Sequence, residues 1–147
     1  MTTPWRAAAA ATLALAVAGA GCSQAPPVSP ACIDTATQTV HLQVRNPGPG
    51  ILRVPESRPN IGCCGRNGLS IEVTDAAGRD LDRCGFADNF DIPTLVDLEP
   101  GEAIAYRFSA KSLSSLYCKV DLGRQSLSVH DGTRPLGTHP LVPCRGK

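Results

Sequence analysis

The segment LEPGEAIAYRF at residues 98–108 decides the fold class of this chain. Its proline and glycine stand at the two central positions of a type II turn, where proline fixes φ and glycine takes a positive φ. The residues after the turn alternate, so that Ile104, Tyr106 and Phe108 share one face. Because successive side chains of a strand point to opposite faces, the segment predicts a turn followed by a strand with one buried face.

The same two-residue period recurs along the chain. Thr39–Arg45 and Leu69–Thr74 alternate apolar and polar residues, and clusters of glycine and proline separate such runs. These runs predict short strands joined by turns. Shorter or weaker strands are predicted at residues 51–54, 81–84, 95–98, 117–122 and 125–130, and one helical turn at residues 111–116.

Seven or eight short strands, separated by turns every 8–12 residues or so, are typical of two packed antiparallel sheets. The turn and strand at residues 98–108 resemble a hairpin common in bacterial immunoglobulin-like modules. We therefore expect an all-β fold, a disulfide-stapled antiparallel β-sandwich of the immunoglobulin-like kind. An open β-barrel is the alternative.

The N-terminal residues have the pattern of an export signal. An apolar run at residues 7–21 follows Arg6 and ends at Cys22. A charged start, a short apolar stretch and small residues at the end define a secretory signal, whereas a membrane-spanning helix needs about 20 apolar residues. The residues around Cys22 resemble the signal peptide of a bacterial lipoprotein. This resemblance implies that residues 1–21 are removed and that Cys22 is lipidated.

The resemblance also implies a location. In that family the residue after the lipidated cysteine influences sorting, and Ser23 implies anchoring in the outer membrane, on its periplasmic or surface face. Cleavage after Ala20 by an ordinary signal peptidase is the alternative, and it would give a soluble periplasmic or secreted protein. The expected organisation is a signal peptide at 1–21, the lipidated cysteine with a proline-rich tether at 22–31, and one β-sandwich domain at 32–147.

Cysteine parity agrees with lipidation of Cys22. The chain has seven cysteines, and lipidation of one leaves an even number for disulfides. An odd cysteine in a secreted protein needs a special explanation, and exported domains of this size use disulfides to supplement the core. The six cysteines expected to form disulfides are Cys32, Cys63, Cys64, Cys84, Cys118 and Cys144.

Their connectivity is only partly constrained. Cys32 and Cys144 lie near the two ends of the domain, and domain termini are often close. Pairing them leaves the adjacent Cys63 and Cys64 to staple their loop to residues 84 and 118. A vicinal Cys63–Cys64 disulfide acting as a redox switch and a metal site are the alternatives.

Composition and motifs favour binding over catalysis. Lys and Arg number 14 and Asp and Glu number 13, without a basic stripe, so we expect no nucleic-acid partner. We expect no cofactor, because no glycine-rich phosphate loop is recognisable, and serine catalysis has no support, because the Gly-x-Ser-x-Gly motif is absent. The three histidines have no metal-ligand spacing, so no metal site is expected either. An enzyme using the carboxylates Asp88, Asp91, Asp97 and Glu99 is a minor hypothesis.

The long loop between residues 55 and 68 is the predicted recognition surface, since long loops on a rigid scaffold commonly carry function. Its candidate residues are Arg58, Asn60, Ile61, Arg66 and Asn67. The sequence thus predicts a non-catalytic, membrane-anchored binding or structural module that acts on an envelope protein or a glycan. The alternative is a tethered inhibitor of an envelope hydrolase, a protease or a muramidase, with the residues from Arg58 to Arg66 inserted into its active site.

Overall fold

The computed structural model describes residues 30–61, 68–85 and 93–145. Within these ranges the chain forms ten strands, one short α-helix and one 3-10 turn. The strands are β1 Ala31–Asp34, β2 Thr39–Arg45, β3 Leu52–Pro55, β4 Asn60–Ile61, β5 Leu69–Thr74, β6 Leu95–Leu98, β7 Ala103–Ser109, β8 Ser126–Asp131, β9 Arg134–Pro140 and β10 Val142–Pro143. Helix α1 is Ala110–Ser114, and the 3-10 turn is Leu122–Arg124. None of the helices in these ranges has the length and apolarity needed to cross a membrane.

The strands form three sheets. The first has the order β10-β1-β2-β7, the second has the order β4-β5-β8-β9, and β3 pairs with β6 in a two-stranded ribbon. Most pairs are antiparallel, while β1–β10 and β4–β5 are short parallel pairs. Across the described residues these sheets remain separate and do not close into a barrel. The predicted all-β sandwich is therefore confirmed.

A single apolar core lies between the sheets. The alternate residues from Val40 to Val44 on β2 and from Leu69 to Val73 on β5 are buried in one cluster, together with residues of the β3–β6 ribbon. Tyr106 on β7 is also buried, and its hydroxyl donates a hydrogen bond to the Pro55 carbonyl at 2.7 Å. This bond satisfies a polar group inside the core and joins the first sheet to the ribbon.

The strongly alternating segments fold as predicted. The strands predicted from Thr39 to Arg45, from Leu69 to Thr74 and from Leu95 to Leu98 have the same bounds in the structure. The strand after the turn extends to Ser109, and the predicted helical turn is α1. Gly101 has a φ of 83°, as the type II turn requires.

Two predicted strands are wrong. Residues 81–84 and 117–122 form no strand; a single bridge between Arg83 and Tyr117 joins them, and another joins Thr74 to Asp80, just before the first segment. The antiparallel neighbour of β5 is β8 and not the segment that follows it. A disulfide and a few backbone bonds hold the two segments instead, and these contacts create the candidate site.

Candidate functional site

The segment after β5 turns back beside that strand. The Asp75 carboxylate accepts hydrogen bonds from the backbone N–H groups of Ala77 at 2.8 Å and Arg79 at 2.9 Å, and Gly78 has a φ of 78°. An aspartate that bonds the backbone two residues on, followed by a glycine in the left-handed region, makes a tight turn. The turn sends residues 79–83 back along the edge of β5.

A disulfide then fixes this returning segment. Cys84 is bonded to Cys118, with their Cα atoms 5.1 Å apart, and both residues are exposed. The N–H of Cys84 donates to the Leu116 carbonyl at 2.9 Å, and that of Cys118 donates to the Asp82 carbonyl at 3.0 Å. A Cβ atom at Gly85 would clash with the Ser115 carbonyl oxygen. Glycine at 85 therefore allows residues 82–85 and 116–118 to lie in close contact.

Tyr117 anchors the disulfide-linked segments to the sheet. Its side chain is buried, and its hydroxyl accepts a hydrogen bond from the Val73 N–H at 3.0 Å. Among the described residues, β4 pairs with Ser70 and Ile71 of β5, and the Tyr117 hydroxyl satisfies a β5 backbone group further along, at Val73. Burial raises the pKa of Tyr117, and the carboxylates of Glu72 and Asp80 act in the same direction.

These elements enclose a surface pocket, which we call the acidic pocket. Its volume is about 290 Å³, near the lower end of the roughly 300–1,000 Å³ range of ligand sites. It is large enough for one side chain or a small ligand. Its lining residues are Glu72, Val73, Asp80, Leu81, Asp82, Arg83 and Tyr117.

The charge of the acidic pocket is negative. Among its described lining residues, Glu72, Asp80 and Asp82 provide three carboxylates against one guanidinium, that of Arg83. Arg83 is committed to Glu72, with Nη2 and Oε1 2.8 Å apart. Asp80 and Asp82 are exposed, and neither side chain has a hydrogen-bond or ion-pair partner among the described residues. The pocket thus offers two uncommitted carboxylates on a backbone held by the turn and the disulfide.

A serine–histidine contact lies on the same outer face of the second sheet. Ser128, directly opposite Glu72 in the register, has its Oγ 2.9 Å from His130 Nε2 and 3.4 Å from Thr138 Oγ1. Sequence reasoning missed this contact, which arises because residues two apart on β8 share a face. Ser128 is only 9% exposed, so the contact holds side chains of the sheet together and does not present a nucleophile to a substrate.

The disulfide predictions are partly corrected. Cys32 pairs with Cys144, as expected, with a Cα separation of 4.9 Å. The expected bonds from Cys63 and Cys64 to residues 84 and 118 are wrong, because the latter two pair with each other across the bridge between Arg83 and Tyr117. Cys63, Cys64 and the predicted lipidation site Cys22 lie outside the described residues.

The predicted recognition loop is only partly described. Asn60 and Ile61 are half-buried and form β4 on the edge of the second sheet, so this part of the loop is bound to the domain. Arg58 is exposed, and its side chain has no ion-pair partner within the described ranges. Arg66 and Asn67 lie outside those ranges. The hydrolase-inhibitor hypothesis, which needs the whole loop, stays a prediction.

Two of the four residues of the enzyme hypothesis, Asp97 and Glu99, are described, and the Asp97 carboxylate has another role. Asp97 forms an exposed ion pair with Arg53 at 2.7 Å on the β3–β6 ribbon, and the hydrogen bond from Arg53 lowers the pKa of Asp97. The N–H of Glu99 donates to the Glu102 carboxylate in the type II turn. Asp88 and Asp91 lie outside the described residues. Where side chains are described, no three His, Cys, Asp or Glu groups gather as a metal site would require.

Compared with protein-family models, curated proteins and solved structures, the chain shows no match.

Proposed function

We propose that this chain is a non-catalytic binding module of the bacterial cell envelope, anchored in the outer membrane by lipid on Cys22. Its acidic pocket receives a cationic side chain, lysine or arginine, from an envelope protein. The observation that carries this proposal is the pair of carboxylates at Asp80 and Asp82, which line the pocket, have no partner in the described part of the chain, and lie on the segment that the Cys84–Cys118 disulfide fixes.

The physical argument for a cation is electrostatic and geometric. Two carboxylates attract a positive group and accept its hydrogen bonds. A lysine or arginine side chain also carries an apolar stem, which the half-buried Leu81 of the lining can contact. An exposed ion pair contributes only about 0–1 kcal/mol, so one side chain binds weakly and the partner must contribute more surface.

A titration of the ¹⁵N-labelled protein with N-acetyl-arginine amide tests the pocket. We expect amide shift changes concentrated at Glu72, Val73 and residues 80–83, with weak millimolar affinity, because a single side chain forms one exposed ion pair. N-acetyl-glutamate amide should leave these amides unchanged. Shifts that are equal for both compounds, or that avoid the pocket, would overturn the assignment.

A matched pair of variants separates the pocket from net charge. Asp80→Asn with Asp82→Asn should abolish the arginine response, since it removes the two uncommitted carboxylates. Asp97→Asn with Asp121→Asn removes the same charge from exposed sites elsewhere and should retain the response. If both double variants lose the response equally, long-range charge and not the pocket governs binding.

The tether has its own test. We expect the protein isolated from membranes to begin at Cys22 and to carry the mass of a diacylglyceryl-type modification on that residue, because the sequence around it resembles a lipoprotein signal peptide. Cys22→Ser removes the thiol to which the lipid is attached. Because stable anchoring depends on the acyl chains, this variant should be released from the membrane fraction. Intact-mass spectrometry is the measurement, and a mature chain that starts at Gly21 without lipid would contradict the proposal.

A further inference from the structure

The open edge of β7 is a second surface that the acidic pocket does not involve. β7 is the terminal strand of the first sheet and pairs with β2 along its full length, from Ala103 to Ser109. No described strand lies on its other side. An edge of this kind presents a row of backbone N–H and C=O groups that another strand can pair with.

The ladder identifies which groups point outward. Two bonds continue the β2–β7 ladder at its ends, from the Asn46 N–H to the Glu102 carbonyl and from the Ala110 N–H to the Gln38 carbonyl, both at 2.8 Å. Hydrogen-bonded pairs alternate with non-bonded pairs in an antiparallel ladder. Residues 104, 106 and 108 of β7 are therefore hydrogen-bonded to β2. The N–H groups of residues 103, 105, 107 and 109 point away from β2.

β7 lacks the features that protect other edges of this domain. In the second sheet, the edge strand β9 contains Pro135, Gly137 and Pro140. In the first sheet, the other edge strand, β10, ends at Pro143. Proline removes a backbone donor, and natural edge strands use it to prevent pairing. β7 has seven residues, none of which is proline or glycine.

The side chains beside this edge select for negative charge. Arg107 is exposed on the outer face and lies directly opposite His41 of β2, and Arg45 lies further along the same face. A residue that pairs with Arg107 on an added strand gains a favourable cross-strand contact if it is acidic. On the inner face Ile104 is only half-buried, so an apolar residue of the added strand would extend the core over it.

We propose that β7 accepts an extended segment of a partner protein as an additional strand, with acidic residues facing outward and apolar residues facing the core. Main-chain hydrogen bonds to the outward N–H and C=O groups of Ala105 and Arg107 hold such a segment, as in other complexes formed by strand addition. A second copy of this chain fits less well, because an antiparallel β7–β7 pair brings the two Arg107 side chains close together on one face.

Amide hydrogen exchange tests this proposal with a blocked heptapeptide of alternating valine and glutamate. At a saturating concentration of the peptide, exchange at Ala105 and Arg107 should slow by about tenfold or more, because their N–H groups become hydrogen-bonded. The heptapeptide of alternating valine and lysine should give no protection. No protection by the glutamate peptide, or equal protection by both peptides, would overturn the proposal.

Two variants and one control sharpen the result. Ala105→Pro removes an outward N–H that β2 does not use and should abolish protection at Arg107. Arg107→Glu leaves the backbone intact and should reverse the preference toward the lysine peptide. Arg124→Glu makes the same charge change away from β7 and should keep the original preference. Sedimentation that shows the unliganded protein dimerising, with Ala105→Pro restoring the monomer, would assign the edge to a second copy and refute the acidic partner.

Discussion

Replacing Cys32 and Cys144 together by alanine lowers the free energy of unfolding by about 4–5 kcal/mol, the largest loss we expect from removing any one described contact. The disulfide joins residues 112 positions apart and so closes nearly the whole domain. It also fixes β10 against β1, where the Cys144 N–H donates to the Ile33 carbonyl at 2.9 Å. Urea unfolding of the oxidised protein is the measurement.

The second disulfide supplies the matched comparison. Cys84→Ala with Cys118→Ala opens a shorter loop, with a sequence separation of 34, so the chain-entropy model assigns it about 1 kcal/mol less than the terminal bridge. The same variant should also weaken binding at the acidic pocket, whose lining residues Arg83 and Tyr117 adjoin this disulfide in the chain. A loss of less than about 1 kcal/mol on removing the terminal bridge would mean that β1 and β10 stay paired without it.

Asn46→Ala should cost about 3 kcal/mol, because it removes three side-chain hydrogen bonds, of which the one to the Leu98 carbonyl is buried. Asn46 is 2% exposed at the end of β2. Its side-chain amide donates to the carbonyls of Gly50 at 2.7 Å and Leu98 at 2.9 Å, and its oxygen accepts from the Gly48 N–H at 3.0 Å. The residue therefore joins the turn after β2 to the end of β6, and urea unfolding measures its contribution.

A pH series distinguishes lost hydrogen bonds from lost volume. Asn46→Asp keeps the shape but places an oxygen against two carbonyl oxygens, and burial raises the folded-state pKa of the introduced carboxyl group above its unfolded value of about 3.9. A group with a raised folded pKa contributes stability below its unfolded pKa and loses it as the pH rises through the folded pKa. The variant should therefore be weakest at neutral pH and recover toward pH 4 or so.

The control for position 46 is an exposed residue of the preceding strand, β2. Gln43→Ala changes a side chain on the solvent face of β2 and should alter the free energy of unfolding by less than about 0.5 kcal/mol. If Asn46→Ala and Gln43→Ala have equal effects, the buried amide does not hold the turn. A stability of Asn46→Asp that does not depend on pH would show that the introduced carboxylate remains hydrated.

The sequence predicted the parts of the fold in which one face of a strand is buried and the other is exposed. In β2 and β7 the inward residues, such as Leu42 and Tyr106, are apolar and the outward ones, such as Gln43 and Arg107, are polar, so the period is visible. β9 escaped prediction, because Pro135, Gly137 and Pro140 interrupt its pattern. Proline and glycine there protect an edge, and in sequence they are indistinguishable from turn residues.

The candidate site was less predictable than the fold. Residues 81–84 and 117–122 alternate enough to suggest strands, but a disulfide and the buried Tyr117 hydroxyl hold them in place of a ladder. The acidic pocket depends on this tertiary arrangement, which brings Glu72 of β5 beside Asp80 and Asp82. The local signal was the cluster of charges at residues 80–83, which by itself is typical of a solvated turn.

The most direct test of the binding proposal is photo-crosslinking in living cells with p-benzoylphenylalanine at position 81, which lines the acidic pocket and leaves both Asp80 and Asp82 in place. The same substitution at position 136, another half-buried leucine, on β9, is the control. We predict that position 81 gives one discrete light-dependent adduct with an envelope protein, that Asp80→Asn with Asp82→Asn abolishes the adduct, and that position 136 does not form it. No adduct at position 81, or the same adduct from both positions, would contradict the proposal that the pocket binds a partner.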